Sequence, residues 1–297
     1  MTVVQLNSAR NVRTLHNRNV TALSDDIFFP VEQVPLAQLT GLSDRGQTAI
    51  VRRDTNTVLA VHGKTYKLTT NESIYNGINQ IIERCPTLDT NGLIIRDQTA
   101  YAGGRTVRSY IFPEHKINIG TGDVTNLRIN VLNSYDGSCN LQVLVGGYRI
   151  VCANGMVVGE HLTKTSKRHT SVLDIPRVGI QIAAALNNFE KEGERWRIWA
   201  QTSITEKQAI DLIEQHVGFD KHGECKSESM RQDLINFWTD ERGEIGRNLW
   251  ALFNALTYWS THADIKGASE PNRAAVIVER ERKVAKTLNQ PLFAVAA

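Results

Sequence analysis

The sequence predicts an α+β protein, in which an antiparallel β-meander with a packed helix is followed by a helical C-terminal region. Three observations support this. Apolar and polar residues alternate through much of residues 93–158, with glycine-containing turns between the runs. One amphipathic helix pattern precedes that region. Beyond residue 170 the apolar spacing lengthens to three and four, the helical period. The chain therefore divides into an irregular N-terminal arm (1–53), an α+β core with an antiparallel sheet (54–200) and a helical C-terminal region (201–297).

Pro30, Pro35 and polar clusters make the first fifty residues read as an arm with one short helix, Pro35 to Leu42. Val58 to Leu68 reads as two strands turning at His62-Gly63-Lys64. Thr70 to Ser73 offers a helix N-cap. That helix should run from Glu72 to Arg84, with Ile74, Ile78, Ile81 and Ile82 on one face, and end at Pro86. Leu93–Tyr101 and Thr106–Phe112 form a hairpin through Ala102-Gly103-Gly104-Arg105. Leu127 to Val131 alternates strictly, so Arg128 faces away from Leu127, Ile129 and Val131. Asp136-Gly137 turns the chain. In the return strand Leu141, Val143 and Val145 share one side, and the apolar parity then passes to Tyr148, Ile150 and Cys152. One inserted residue has this effect, which predicts a β-bulge at Gly146-Gly147 and turns Arg149 away from the helix side. An Asn154-Gly155 turn leads into Met156-Val157-Val158. Helices are expected over 178–199, 205–217, 231–238, 245–262 and 273–288, the last behind Pro271.

The 297 residues are 41% hydrophobic and 22% charged, which excludes a collagen-like or wholly disordered chain. No apolar run approaches the ~18 residues that cross a bilayer, and the first twenty residues lack a secretory-signal pattern. A cytoplasmic protein without a membrane partner is the expectation. Cys85, Cys139, Cys152 and Cys225 contain no C-x-x-C pair and read as reduced thiols. His222 and Cys225 lack the second ligand pair that zinc needs. The net charge is +3, unevenly spread: residues 1–170 carry 18 Lys and Arg against 13 Asp and Glu, and residues 171–297 carry 16 against 18. A basic first half is compatible with a polyanion partner.

Catalytic and cofactor signatures are absent from the sequence. It contains no G-x-x-x-x-G-K-[ST], no strand-following G-x-G-x-x-G, no G-x-S-x-G and no H-E-x-x-H. The expectation is a protein that is not an enzyme and uses no cofactor. What stands out is a basic sheet. Arg96, Arg105, Arg108, Lys116, Arg128 and Arg149 lie in or beside predicted strands, and Lys164, Lys167 and Arg168 follow them. Period-2 geometry sends several of the guanidinium groups to the face away from the helix. Tyr101 and Tyr110 lie close by and could stack on bases, while the cations neutralise phosphate.

Two segments carry a family resemblance. Asn133-Ser-Tyr-Asp-Gly-Ser138, leading to Gly147-Tyr-Arg-Ile-Val-Cys-Ala-Asn-Gly155, is one; Asn248-Leu-Trp-Ala-Leu-Phe-Asn-Ala-Leu-Thr-Tyr258 is the other. They resemble the phage- and plasmid-related proteins grouped as "domain of unknown function 932", over about residues 55–290. The resemblance implies a mobile-element setting in a bacterial cytoplasm and transfers no activity. The order of elements is similar to the core of phage single-strand annealing proteins and the Rad-fifty-two-like superfamily. That likeness implies rings or filaments that hold DNA in a basic groove without nucleotide hydrolysis, and it transfers no residue.

The leading expectation is a phage-encoded, ATP-independent, homo-oligomeric protein that binds single-stranded DNA and promotes annealing or recombination. An alternative is an interaction module for a host replication or defence protein, suggested by Arg195-Trp-Arg-Ile-Trp199. A third is a metal-dependent nuclease using Asp97, Glu114 or Asp136.

Overall fold

The computed structural model describes residues 26–43, 46–120, 123–139, 141–149, 154–157, 165–167, 175–265 and 267–296. A small sheet opens the chain. β1 (Val31–Pro35), β2 (Thr48–Arg52) and β3 (Thr57–His62) pair antiparallel in that order, with the short helix α1 (Leu36–Thr40) between the first two. Two strands therefore lie where an irregular arm was expected. β2 is central and buries Ala49, Ile50 and Val51 in succession, a run too short to show a period. The expected hairpin over 58–68 is a single strand: β3 pairs back onto β2, and residues 63–68 form no strand.

α2 (Asn71–Arg84) follows, capped where Thr70 Oγ1 accepts a hydrogen bond from the Ser73 N–H, and it buries Ile74, Ile78 and Ile82. The larger sheet runs β4 (Ile94–Ala100), β5 (Arg105–Gly120), β6 (Asp123–Ser134) and β7 (Leu141–Arg149). The short strands β8 (Asn154–Val157) and β9 (Thr165–Lys167) both pair with the far side of β7. β5 continues past Pro113 through a register shift between Phe112 and Lys116, which accommodates a residue without a backbone donor.

The β6–β7 register is unbroken from Thr125↔Arg149 to Leu132↔Gln142. The bulge expected at Gly146-Gly147 does not form among these residues. Arg149 therefore keeps the parity of Val143 and Val145, and Tyr148 takes the opposite side. Cross-strand partners share a face, so the register sorts the sheet. The inner face holds Thr106, Arg108, Tyr110 and Phe112 of β5 opposite Asn133, Val131, Ile129 and Leu127 of β6. The outer face holds Arg96, Ser109, Asn130 and Leu144 in one row.

Both faces carry helix. The inner face packs on α2 and on the helical region, α3 (Ile175–Gln201), α4 (Glu206–Val217), α5 (Glu228–Ile245) and α6 (Leu249–His262), around one large core. α6 is apolar nearly all round and is buried almost along its whole length. α4 begins with a capping box between Thr205 and Gln208, worth about 1 kcal/mol. α7 (Arg273–Thr287) crosses the outer face. Ala274 and Ala275 meet Ala100, Val278 meets Val107 and Leu132, and Glu281 pairs with Arg128 at 2.8 Å. The sheet is thus covered on both sides in part, whereas the sequence pattern suggested one open face. No described helix is long and apolar enough to cross a membrane.

Candidate functional site

On the inner face the expected DNA contacts are internal. Arg108 is 1% exposed and forms a two-bond fork to Asp97, with Nε–Oδ1 and Nη2–Oδ2 both 2.7 Å. Burial is the largest single influence and pulls its pKa down, but the Asp97 hydrogen bonds together with the charges of Asp97, Tyr110 and Tyr75 outweigh it, and the net shift is upward. The rings of Phe28 and Tyr75 lie 4.7 and 5.0 Å from its guanidinium. Tyr110 is fully buried and donates its hydroxyl to Asn79 Oδ1 at 2.7 Å, so it offers no ring to a base. Arg149 is also 1% exposed. It donates to Asp123 from Nε (2.7 Å) and Nη2 (3.1 Å), and from Nη1 to Glu241 (2.9 Å). Trp250 Nε1 donates to the same Asp123 at 2.7 Å. Burial holds the Glu241 carboxyl above its usual range, against the pull of Arg149.

The unbroken register explains this outcome. Without a bulge, Arg149 is directed into the core, where only a carboxylate can compensate a charge. The network also ties β6 and β7 to α5 and α6. It joins Arg149 of one resemblance segment to Trp250 of the other, and both serve packing. Removing one partner of such a buried pair costs about 3–5 kcal/mol.

The outer face differs. Arg128 is half closed by Glu281 of α7, the two side chains being 12% and 8% exposed. Arg96 reaches across the sheet to place its guanidinium 5.0 Å from the ring centroid of Tyr148. Lys116 is exposed. Lys167 lies in β9, its backbone opposite Leu141. Lys164 and Arg168 lie outside the described residues.

The β4–β5 connection brings an exposed candidate, Tyr101, beside the partly exposed Arg105. Tyr101 and Ala102 both adopt left-handed φ values, 55° and 54°, followed by Gly103 at 98°. Left-handed non-glycine residues are strained by roughly 1 kcal/mol each. A Cβ at Gly103 would lie 2.5 Å from the Phe29 ring, so this third position requires glycine. Hydrogen bonds pin the turn, among them Tyr101 N–H to Asn272 Oδ1 (2.7 Å), Gly104 N–H to Tyr101 O (2.8 Å), Arg52 Nη1 to Ala102 O (3.0 Å) and Tyr135 N–H to Gly104 O (2.7 Å). The result is a tyrosine ring 45% exposed, with the Arg105 guanidinium 4.5 Å from its centroid. Arg105 also contacts Asp136 at 3.2 Å, with side chains 27% and 21% exposed. Water reaches that pair, so an incoming anion can exchange with Asp136 at small cost.

The remaining sequence candidates serve structure. Trp196 and Trp199 are buried in the core. Arg195 lies over Trp199 at 4.6 Å, and Arg197 Nε donates to Asn118 O. The Arg-Trp segment is therefore not an exposed aromatic surface, although Ile198 remains exposed. Asp97 and Asp136 hold Arg108 and Arg105, Glu114 is exposed, and the three do not converge. Among the described residues no group of three His, Cys, Asp or Glu side chains gathers as a metal site. Cys85, Cys139 and Cys225 are free, half-buried thiols, and Cys152 lies outside the described residues. A half-open cleft of about 530 Å³ is lined by Phe237, Asp240, Glu241, Glu244 and Tyr258, an acidic wall unsuited to phosphate.

The residues that the sequence reading passed over are Asn126, Asn130 and Tyr148. They lie on the outer face with Arg128, two positions apart along β6 or opposite it in β7. The alternation that singled out Arg128 marked Asn126 and Asn130 equally.

No curated protein matches the chain, and no solved structure does. The likeness in element order to annealing proteins thus has no structural match behind it. The family model described as a domain of unknown function, DUF932, matches residues 58–289, more than half of the chain, and the protein belongs to that family.

Proposed function

We propose that the protein binds single-stranded DNA without catalysis, gripping it at the turn between β4 and β5. The observation that carries this reading is the exposed Tyr101 ring with Arg105 beside it, held outward by two strained residues. Strained backbone at an exposed aromatic marks a position where presentation of the ring outweighs local stability. A base stacks on the ring and Arg105 exchanges Asp136 for phosphate, the two contacts by which flexible strands are commonly held. One such grip is weak. Repetition across copies in a ring or filament would multiply it, and strand annealing in a phage setting is the activity such an assembly would serve. The test is a gel shift with a labelled single-stranded oligonucleotide at low and high salt. A shift that weakens with salt supports the reading. No shift by folded protein at low salt overturns it.

A second reading has its own observation. β3 is an edge strand without charge or proline, and it exposes Val58 (51%) and Val61 (44%). Unguarded edges invite pairing with another chain. That reading predicts protein capture that survives nuclease and fails in V61K.

A further inference from the structure

We infer that Asn272, at the head of α7, is a positioning residue for the strand grip: it holds Tyr101 in the strained backbone conformation that turns the ring outward. The inference rests on the strand-binding reading of the Tyr101 turn, and it names the residue and the helix that keep the turn in shape.

Asn272 stands in the N-cap position of α7, immediately before Arg273. Asparagine is among the strongest capping residues, because its side-chain oxygen accepts from an N–H in the first turn of its own helix. The side chains of Thr70, Thr205, Ser227 and Asn248 do this for α2, α4, α5 and α6. Asn272 makes no such bond to α7. Its Oδ1 accepts instead from the Tyr101 N–H at 2.7 Å, across 171 residues of sequence. The cap is diverted from its helix to the turn.

Where that bond falls gives it its effect. Tyr101 and Ala102 have φ values of 55° and 54°, a conformation that persists only where surrounding contacts hold it. The bond from the Gly104 N–H to Tyr101 O is internal to the turn, and the bonds from Arg52 and Tyr135 reach Ala102 O and Gly104 O. The Asn272 bond fixes the tyrosine residue itself, from outside the turn. Ala274 and Ala275, in the first turn of α7, are buried against Ala100, the residue before Tyr101. Methyl side chains at all three positions let the helix approach the strand end closely enough for Asn272 to reach the Tyr101 N–H. α7 is in turn seated on the sheet through Glu281 and Arg128, and on α4 through Thr287 and His216. The exposed grip is therefore held from the helical region as well as by its own hairpin.

The experiment compares the full chain with N272A, N272S and N272D. Serine caps a helix well but is one bond shorter and does not reach Tyr101; aspartate keeps the acceptor at the same reach. Amide hydrogen exchange of Tyr101 reads the turn without any ligand. That amide is expected to exchange roughly tenfold faster in N272A and N272S than in wild type, and to stay protected in N272D. N272S should melt at or above the wild-type temperature, because α7 gains a cap. Affinity for a labelled single-stranded oligonucleotide should fall about tenfold in N272A and N272S, as for loss of the ring, and N272D should bind more tightly than N272S. A residue needed only as a helix cap gives the opposite order: N272S binds like wild type, and N272A melts lower than N272S. That order overturns the inference, as does wild-type exchange of the Tyr101 amide in N272A, or faster exchange with unchanged affinity. If wild type binds no oligonucleotide, the strand-binding reading fails, and the exchange rates alone decide whether Asn272 holds the turn.

Discussion

The two faces of the larger sheet put the same residue type to opposite uses. On the inner face Arg108 and Arg149 are 1% exposed and locked to carboxylates at 2.7 Å. On the outer side Arg96 stacks on Tyr148 with an unmet Nε, and Arg105 sits at the rim in reach of water. Arg128 is intermediate, closed by Glu281 of α7. Strand parity decides which side a side chain takes. Whether that side is open depends on helices far along the chain. A count of arginines on a meander is therefore a poor measure of a binding surface; the carboxylates opposite them decide.

The largest effect that tests this contrast is R149M. It leaves Asp123 and Glu241 buried with no cation between them, and stability should fall by about 3–5 kcal/mol. Urea unfolding measures it, and an unchanged midpoint would mean that the network contributes nothing.

The next largest effect concerns the seat of α7. His216 Nδ1 bonds Thr287 Oγ1 of α7 at 2.7 Å, and the ring is 3% exposed. Burial, helped by the charge of Lys283, lowers its pKa to about 3. The folded state therefore holds this imidazole neutral, while the unfolded chain takes up the proton near its ordinary value of about 6.5. Stability from this residue is complete above that value and is lost as pH falls toward the folded value. The loss by pH 4 is about 3 kcal/mol. H216Q should flatten the acid limb of the stability profile; an identical profile contradicts the assignment.

A smaller change is expected from E281Q. It weakens the Arg128 bond across the α7 contact and should cost about 2 kcal/mol in the same unfolding assay. Smallest is R105Q. Its pair with Asp136 is in contact with water, so stability should move by no more than about 1 kcal/mol, while single-strand affinity falls. A large loss of stability with R105Q would erase the distinction between rim and interior.

Much of the fold was legible in the sequence. α2 shows its isoleucine stripe and Thr70 cap, and the β4–β5 and β6–β7 hairpins show their glycine turns. The α+β class and the helical C-terminal region follow from the change of period. The small sheet was hidden because its strands are five or six residues long and β2 is apolar without alternation. The bulge was inferred from a parity change that belongs instead to the two faces: Tyr148 packs under Arg96, and Gly147 lies opposite Leu127. The candidate site was less legible. Tyr101 and Arg105 stand separately among the sequence candidates, and the turn brings them within 4.5 Å; no local pattern shows that Asp97 stands opposite Arg108 or that Glu241, 92 residues away, reaches Arg149. Long-range carboxylates leave no periodic trace. Asn126 and Asn130 did leave one, as polar positions alternating with Leu127, Ile129 and Val131.

The proposed grip on a strand is at the exposed turn and not on the sheet arginines. A fluorescence-anisotropy titration of a labelled single-stranded oligonucleotide against wild type and Y101A tests it directly. Salt-sensitive binding by wild type is expected, with about a tenfold loss in Y101A, the size of one lost base stack, and unchanged circular dichroism. Equal affinity of the two proteins, or no binding by either at low salt, would contradict it.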